Sequence, residues 1–307
     1  MTDSMHVFDR RAVRRHRERA ANGAGAADFL FRESAERLVD RLNDVTHAFP
    51  AALDLGCRMG AVAARLAVDR GAAAKIGRLF QCDLAPAMAR AAVVTGHATF
   101  AADEEALPVA DAALDLVMSN LSLHWVNDLP GALVQIRRAL KPDGLFLASL
   151  FGLDTLSELR ACLLEAEAET SGGAGRRVSP FTDVRDAGGQ LSRAGFALPV
   201  VDADTVTVTY TDMFRLMADL RAMGETNAVM GRRPGASRRD MFTRAAQIYA
   251  ERFVDPRGRI VATFQILTLT AWAPHPRQQK PMRPGTAATP LANVLTAANG
   301  VTAGDSR

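Results

Sequence analysis

The side chains best suited to chemistry in this chain stand where apolar runs end. Asp54-Leu-Gly-Cys-Arg-Met-Gly60 closes the first run; Gly56 permits an unusual backbone turn there, and Gly60 lets the next helix approach closely. Asp83 closes the second, about one strand-helix unit later, where a carboxylate is placed to accept two hydrogen bonds from a ribose diol. Asp103 and Glu104 close the third and are placed to flank an adenine ring and its exocyclic amine. Ser119 and Asn120 close the fourth, and His124 and Trp125 lie just beyond it. Each has a plainer explanation, since a glycine turn is often only a turn and a carboxylate at a strand end often only caps a helix. Four run ends with the right residue types in the right order point to a nucleoside-bearing cofactor.

The elements that must position these residues alternate in type. β-rich runs at 51–56, 79–83, 99–103, 114–120 and 145–151 are interleaved with helical patterns at 60–68, 86–94, 129–140 and 154–170. The runs are continuously apolar, as strands buried on both faces are, so an α/β fold is expected: a mainly parallel sheet with helices on both faces. After residue 172 come a short helix ending near Gly195, an alternating strand over 200–210, a helical insertion at about 211–255 and a final strand over 261–272. The expected organisation is an N-terminal helical segment or lid over 1–45, a cofactor-binding domain over 46–273 and a flexible tail over 274–307. In an open α/β sheet the ligand lies beyond the carboxyl ends of the strands, which is where the residues above stand.

Composition excludes several classes. With 48% hydrophobic and 23% charged residues the chain matches ordinary globular domains, and its apolar runs fall far short of the ~20 residues of a membrane span. The net charge of +3 includes two arginine clusters, 10–19 and 232–239, read as a solvated helix face and a polar loop rather than a binding patch. No stacking aromatics interleave them, so no nucleic acid is expected as partner; peripheral membrane contact stays open. Three cysteines without ligand spacing argue against a disulfide framework or a metal site and suit a reducing, cytoplasmic setting. The N-terminus has no apolar signal core and carries Asp3, Asp9 and Glu18, so it is read as mature protein.

Leu-Asp-Leu-Gly-Cys57 followed by Cys82-Asp-Leu-Ala-Pro86 resembles the first two motifs of the class I methyltransferase superfamily, which implies its Rossmann-like fold and S-adenosylmethionine as cofactor. Asn120-Leu-Ser-Leu-His-Trp-Val-Asn-Asp-Leu-Pro130, Ala139-Leu-Lys-Pro-Asp-Gly144 and Phe151-Gly-Leu-Asp-Thr-Leu-Ser-Glu-Leu-Arg160 resemble the complex I assembly factor 5 family and its bacterial relatives. So do Phe8-Asp-Arg10, Ser179-Pro-Phe-Thr182, Met223-Gly-Glu225 and Ala262-Thr-Phe-Gln265, and the resemblance spans roughly residues 6 to 295. It implies an enzyme acting on a protein substrate, with hydroxylation of an arginine on a complex I subunit as the reaction. The biotin-pathway methyltransferases of malonyl-acyl carrier protein are the next relatives it suggests.

By the resemblance, Asp54, Gly56 and Gly60 shape the methionine pocket, Asp83 holds the ribose, Asp103 and Glu104 face the adenine, and Asn120 lines the mouth near the sulfonium. Arg58 departs from the pattern, which has a second glycine there; its guanidinium either points outward or pairs with the cofactor's carboxylate. His124 and Trp125 are the candidate catalytic pair, against a plainer role in supporting their loop. Methyl transfer needs alignment more than acid-base groups, whereas hydroxylation needs an oxidant or activated metal, for which the chain shows no facial-triad pair. Methylation of an acyl carrier protein or small carboxylate, and a noncatalytic binding module motivated by Arg58, are the alternatives.

Overall fold

In the strands, apolar side chains alternate between two helical layers. The computed structural model describes residues 6–23, 27–171, 173, 175–232, 235 and 238–278. Most of the tail expected over 274–307 therefore lies outside the described residues. Leu53 and Leu55 of β1 (Phe49–Leu55), Val117 of β4 (Leu114–Asn120) and Phe146, Ala148 and Leu150 of β5 (Leu140–Phe151) face one apolar layer, built with α6 (Leu129–Ala139) and α8 (Val184–Arg193). Their neighbours Ala52, Leu116, Met118, Leu145 and Leu147 face the other, built with α2 (Phe29–Asn43) and α3 (Ala61–Val68). Burial on both faces is why these runs are continuous rather than alternating in sequence.

The remaining strands are β2 (Ile76–Asp83), β3 (Ala98–Ala101), β6 (Ala197–Tyr210) and β7 (Ile260–Trp272), and the sheet order is β3-β2-β1-β4-β5-β7-β6. β1 pairs in parallel with β2 and β4, β2 with β3, and β4 with β5, while β7 runs antiparallel to both β5 and β6. The chain order reverses between β1 and β4, so the loops after these strands diverge and leave room for a ligand between them. The expected α/β fold with its mainly parallel sheet is borne out.

Two helices, α9 (Met213–Met223) and α10 (Arg239–Arg252), intervene between the last two strands and pack with α7 (Ser157–Ser171) over Phe264 and Ile266 of β7. Tyr210 and Tyr249 belong to this core; the Tyr249 hydroxyl donates to the Val261 carbonyl at 2.8 Å. The short helices α4 (Arg70–Lys75) and α5 (Pro86–Ala92) flank β2. Among the described residues no helix is long and apolar enough to cross a membrane. Residues 275–278 belong to a second compact unit and form a turn in which the Gln278 N–H donates to the His275 carbonyl at 3.1 Å.

One strand is shorter than its sequence suggests. β3 ends at Ala101, two residues before Asp103, which forms an isolated bridge to Ala106. The Asp103 carboxylate accepts from the Glu105 N–H at 2.9 Å, and this local turn draws the backbone away from the ladder.

Candidate cofactor and acceptor site

The loop after β1 is wound tightly enough to bring three backbone amides to one place. Gly56 has φ +74° and Gly60 φ +85°, and the N–H groups of Gly56 and Cys57 both donate to the Cys82 carbonyl at 2.8 Å. A β-carbon on Gly56 would overlap the Ser122 side chain. Arg58 lies between these two glycines with φ +51°, a strained value for a residue with a β-carbon, and its N–H donates to Asp83 Oδ2 at 3.0 Å.

Asp83 is fully buried, and its Oδ1 accepts from the Ala85 N–H at 2.8 Å. Its remaining partner is Arg17 of α1 (Arg10–Ala21), whose Nη1 lies 3.4 Å from Oδ1 and 3.3 Å from Oδ2. The same Nη1 donates to Glu104 Oε1 at 2.8 Å, and Nη2 donates to Ser122 Oγ at 2.8 Å. Arg10 adds a second guanidinium, bonded to Glu104 and, at 2.5 Å, to Asp103. Burial alone would lower Arg17 and raise Glu104; the opposed charges outweigh it, holding Arg17 protonated and Glu104 well below the usual carboxylate range.

The solvated-face reading of the 10–19 cluster is thus corrected. Arg11, Arg14 and Arg15 are exposed, but Arg17 is 0% exposed because it shares the inward stripe of α1 with Val13 and Ala20. An arginine four residues after Val13 and three before Ala20 is the signal available in sequence.

Arg58 is corrected as well: its guanidinium neither points outward nor stays free for a ligand. It turns inward, donates to the Met223 carbonyl at 2.9 Å, pairs with Glu225 and lies 4.1 Å from the centre of the Phe31 ring. Glu225 also accepts from Trp125 Nε1 at 2.8 Å and from His124 Nε2 at 3.1 Å. Burial would raise this carboxyl, but Arg58 and His124 outweigh it and bring it down to about 2. Because a carboxylate only accepts, the His124 proton sits on Nε2; burial keeps the ring neutral, and its Nδ1 is buried without a partner. Glu225 and Arg17 escape a residue-by-residue reading, Glu225 because one carboxylate after a helix-ending glycine has no periodic signal.

Asp54 is fully buried with neither oxygen hydrogen-bonded; desolvation, against a weaker effect of the Gln81 side chain and with Asp83 adding to it, raises it to about 7. Asn120 is tied into the fold, donating to the Phe31 carbonyl at 2.8 Å and accepting from Ser149 Oγ at 3.1 Å. The structure therefore brings Arg58, Asp83, Glu104, Gly56 and Gly60 into one buried cluster, with Asp103 at its half-exposed edge through Arg10.

Beyond Trp125 and Glu225 opens a cavity of about 410 Å³, apolar along Phe151, Phe181, Met217 and Phe264 and edged by Arg221. Trp125 is wedged between this cavity and Phe8, with ring centres 5.3 Å apart at 75°. The cluster and the cavity share a wall made by Glu225.

The buried carboxylate cluster lies at a sheet switch point beside an apolar cavity, and a methyltransferase domain model matches residues 53–148, which makes this a methyltransferase-type enzyme. S-adenosylmethionine is the cofactor of that class. The mouse mitochondrial arginine-hydroxylase NDUFAF5 is 42% identical over 288 residues, covering 92% of this chain and 82% of its own, and the zebrafish protein is 40% identical over 94% and 90%. The chain belongs to the family of these proteins. It is also 36% identical to a malonyl-[acyl-carrier protein] O-methyltransferase of Methylovorus, over 92% of this chain and 95% of that one. The fold is shared with the YcgJ protein of Bacillus subtilis at a TM-score of 0.53 and 13% identity, over 78% and 99% of the two chains.

The residues fit the cofactor in kind: a glycine turn against a buried carboxylate at the end of β2 and a second carboxylate beyond β3. Three of the chain's own guanidinium groups, from Arg10, Arg17 and Arg58, stand among them.

Proposed function

We propose that this protein modifies a subunit of respiratory complex I or a closely similar protein substrate, with S-adenosylmethionine bound at the ends of β1, β2 and β4. The observation that carries the reading is identity of 40% and above to arginine-hydroxylases across more than nine-tenths of the chain. Asp83 would hold the ribose, Glu104 and Asp103 the adenine side, and the turn from Gly56 to Gly60 the methionine end, with Asp54 beneath it. When bound, the cofactor supplies an electrophilic methyl group. The chain's own contribution is placement: an apolar cavity that sheds water from an inserted side chain. His124 and Trp125 keep their candidate catalytic roles, with Glu225 fixing both rings. A cytoplasmic location is part of this reading.

Methylation of an acyl carrier protein-bound carboxylate is the second reading, favoured by the Methylovorus relative and by Arg221 at the edge of the cavity. Intact mass of candidate substrates from cells with and without the protein separates the two. A mass gain on a complex I subunit is expected, one methylene where the cofactor's methyl is transferred and one oxygen where dioxygen with an external reductant supplies the oxidant; gain of one methylene on an acyl carrier protein, with complex I subunits unchanged, would sink the first reading.

A further inference from the structure

We propose that Arg17 and the nucleoside half of S-adenosylmethionine compete for one seat, so that cofactor binding and docking of α1 exclude each other. This rests on the reading of the site as cofactor-binding. A carboxylate offers about four acceptor directions. On Asp83 all are engaged: Oδ1 by the Ala85 N–H at 2.8 Å and Arg17 at 3.4 Å, Oδ2 by the Arg58 N–H at 3.0 Å and Arg17 at 3.3 Å. A ribose diol requires two of them. The amides are fixed by the fold, so Arg17 is the partner that can leave.

Space leads to the same conclusion. Arg17, Asp83 and Ser122 are each 0% exposed, Glu104 1% and Asn120 4%, so while α1 is docked these groups present no surface to a nucleoside. Arg17 cannot clear it by changing rotamer, because its side chain leaves α1 on the face sealed by Val13 and Ala20 against the domain. The helix has to move with it.

α1 is held by contacts that can break as a group. The Asp9 N–H donates to the Ala228 carbonyl at 2.8 Å, the Met230 N–H to the Val7 carbonyl at 2.8 Å, and Phe8 rests on the edge of Trp125. His16 Nδ1 lies 3.0 Å from the Thr226 carbonyl, and Arg19 donates to Thr226 Oγ1 at 3.1 Å. Thr226 also lines the acceptor cavity, so release of α1 loosens that wall too. The cofactor site and the acceptor site are thereby linked through one helix.

The test is amide hydrogen exchange of the full chain with and without saturating S-adenosylhomocysteine, alongside calorimetry on the wild type, Arg17→Ala and Arg17→Gln. Stoichiometric binding should speed exchange across residues 10–21 about tenfold or more while β1 and β4 are unchanged or slowed, and Arg17→Ala should bind about tenfold tighter. Stoichiometric binding with exchange in 10–21 unchanged or slowed overturns the proposal, and does so on wild-type protein even if neither variant folds. Absence of binding in the wild type and in both variants overturns the cofactor reading itself.

Discussion

A positive φ at a residue with a β-carbon costs about 1 kcal/mol or more, and Arg58 holds φ +51° while bonded to Met223, Glu225 and the Phe31 face. Arg58→Gly would relieve the strain, but it removes one partner of a buried ion pair, an effect of about 3–5 kcal/mol. A net loss of stability is expected, measured as a lower denaturation midpoint. Glu225→Gln removes the other partner. In the wild type Glu225 is depressed from 4.5 to about 2, so its contribution is present above pH 4.5 and is lost as pH falls toward 2. The Glu225→Gln variant should be less stable at neutral pH and lose part of that acid dependence. Asp54 works in the opposite sense: raised from 3.8 to about 7, it favours the folded state when protonated, so stability falls as pH rises through that window. Asp54→Asn should flatten the fall between about pH 4 and 7 in thermal melts, and an unchanged slope would remove Asp54 as its source. Asp83→Ala should weaken cofactor binding by roughly 1–3 kcal/mol in calorimetry, on the scale of a charge-assisted hydrogen bond.

At the scale of elements, what can be read from sequence is what periodicity encodes. β1, β4 and β7 are apolar runs bounded by turn residues, and each lies within a few residues of where the pattern ends. β3 falls short at Ala101 because Asp103 bonds its own backbone, an effect invisible to a count of apolar positions. α4 gives no sequence signal, since six residues rich in alanine and capped by Asp69 carry too little pattern. The buried carboxylate cluster is legible because its acidic residues stand at or just after strand ends. The contribution of α1 is not, because the two arginines that matter differ from their neighbours only in which side of the helix they occupy. Asp9 caps that helix, accepting from the Ala12 N–H at 3.0 Å, and pairs with Arg232 at 2.8 Å. Asp9→Ala should cost about 1 kcal/mol locally. It should appear as earlier proteolytic cleavage around α1 with the global melting midpoint little changed.

Across the whole molecule, the sheet closes at one side on β6, a 14-residue edge strand that exposes Leu198 and Val200. Long edges recruit other chains unless charged or interrupted. Here Pro199 interrupts the ladder, Asp202 pairs with Arg41 at 2.5 Å and Asp204 with Arg37 at 2.8 Å, tying the edge back to α2. Replacing both aspartates with valine should raise aggregation on heating, seen as light scattering, with little effect on cofactor binding. The three thiols offer a different handle on the same body. Cys57 is buried in the turn after β1, Cys82 in β2 and Cys162 beneath α10, and burial pushes all three up, Cys162 to about 11. In the closed molecule none should alkylate readily. They form three stopwatches at three depths: labelling of Cys57 alone would time the unlatching of one loop, and simultaneous labelling of all three would time the loss of the whole fold.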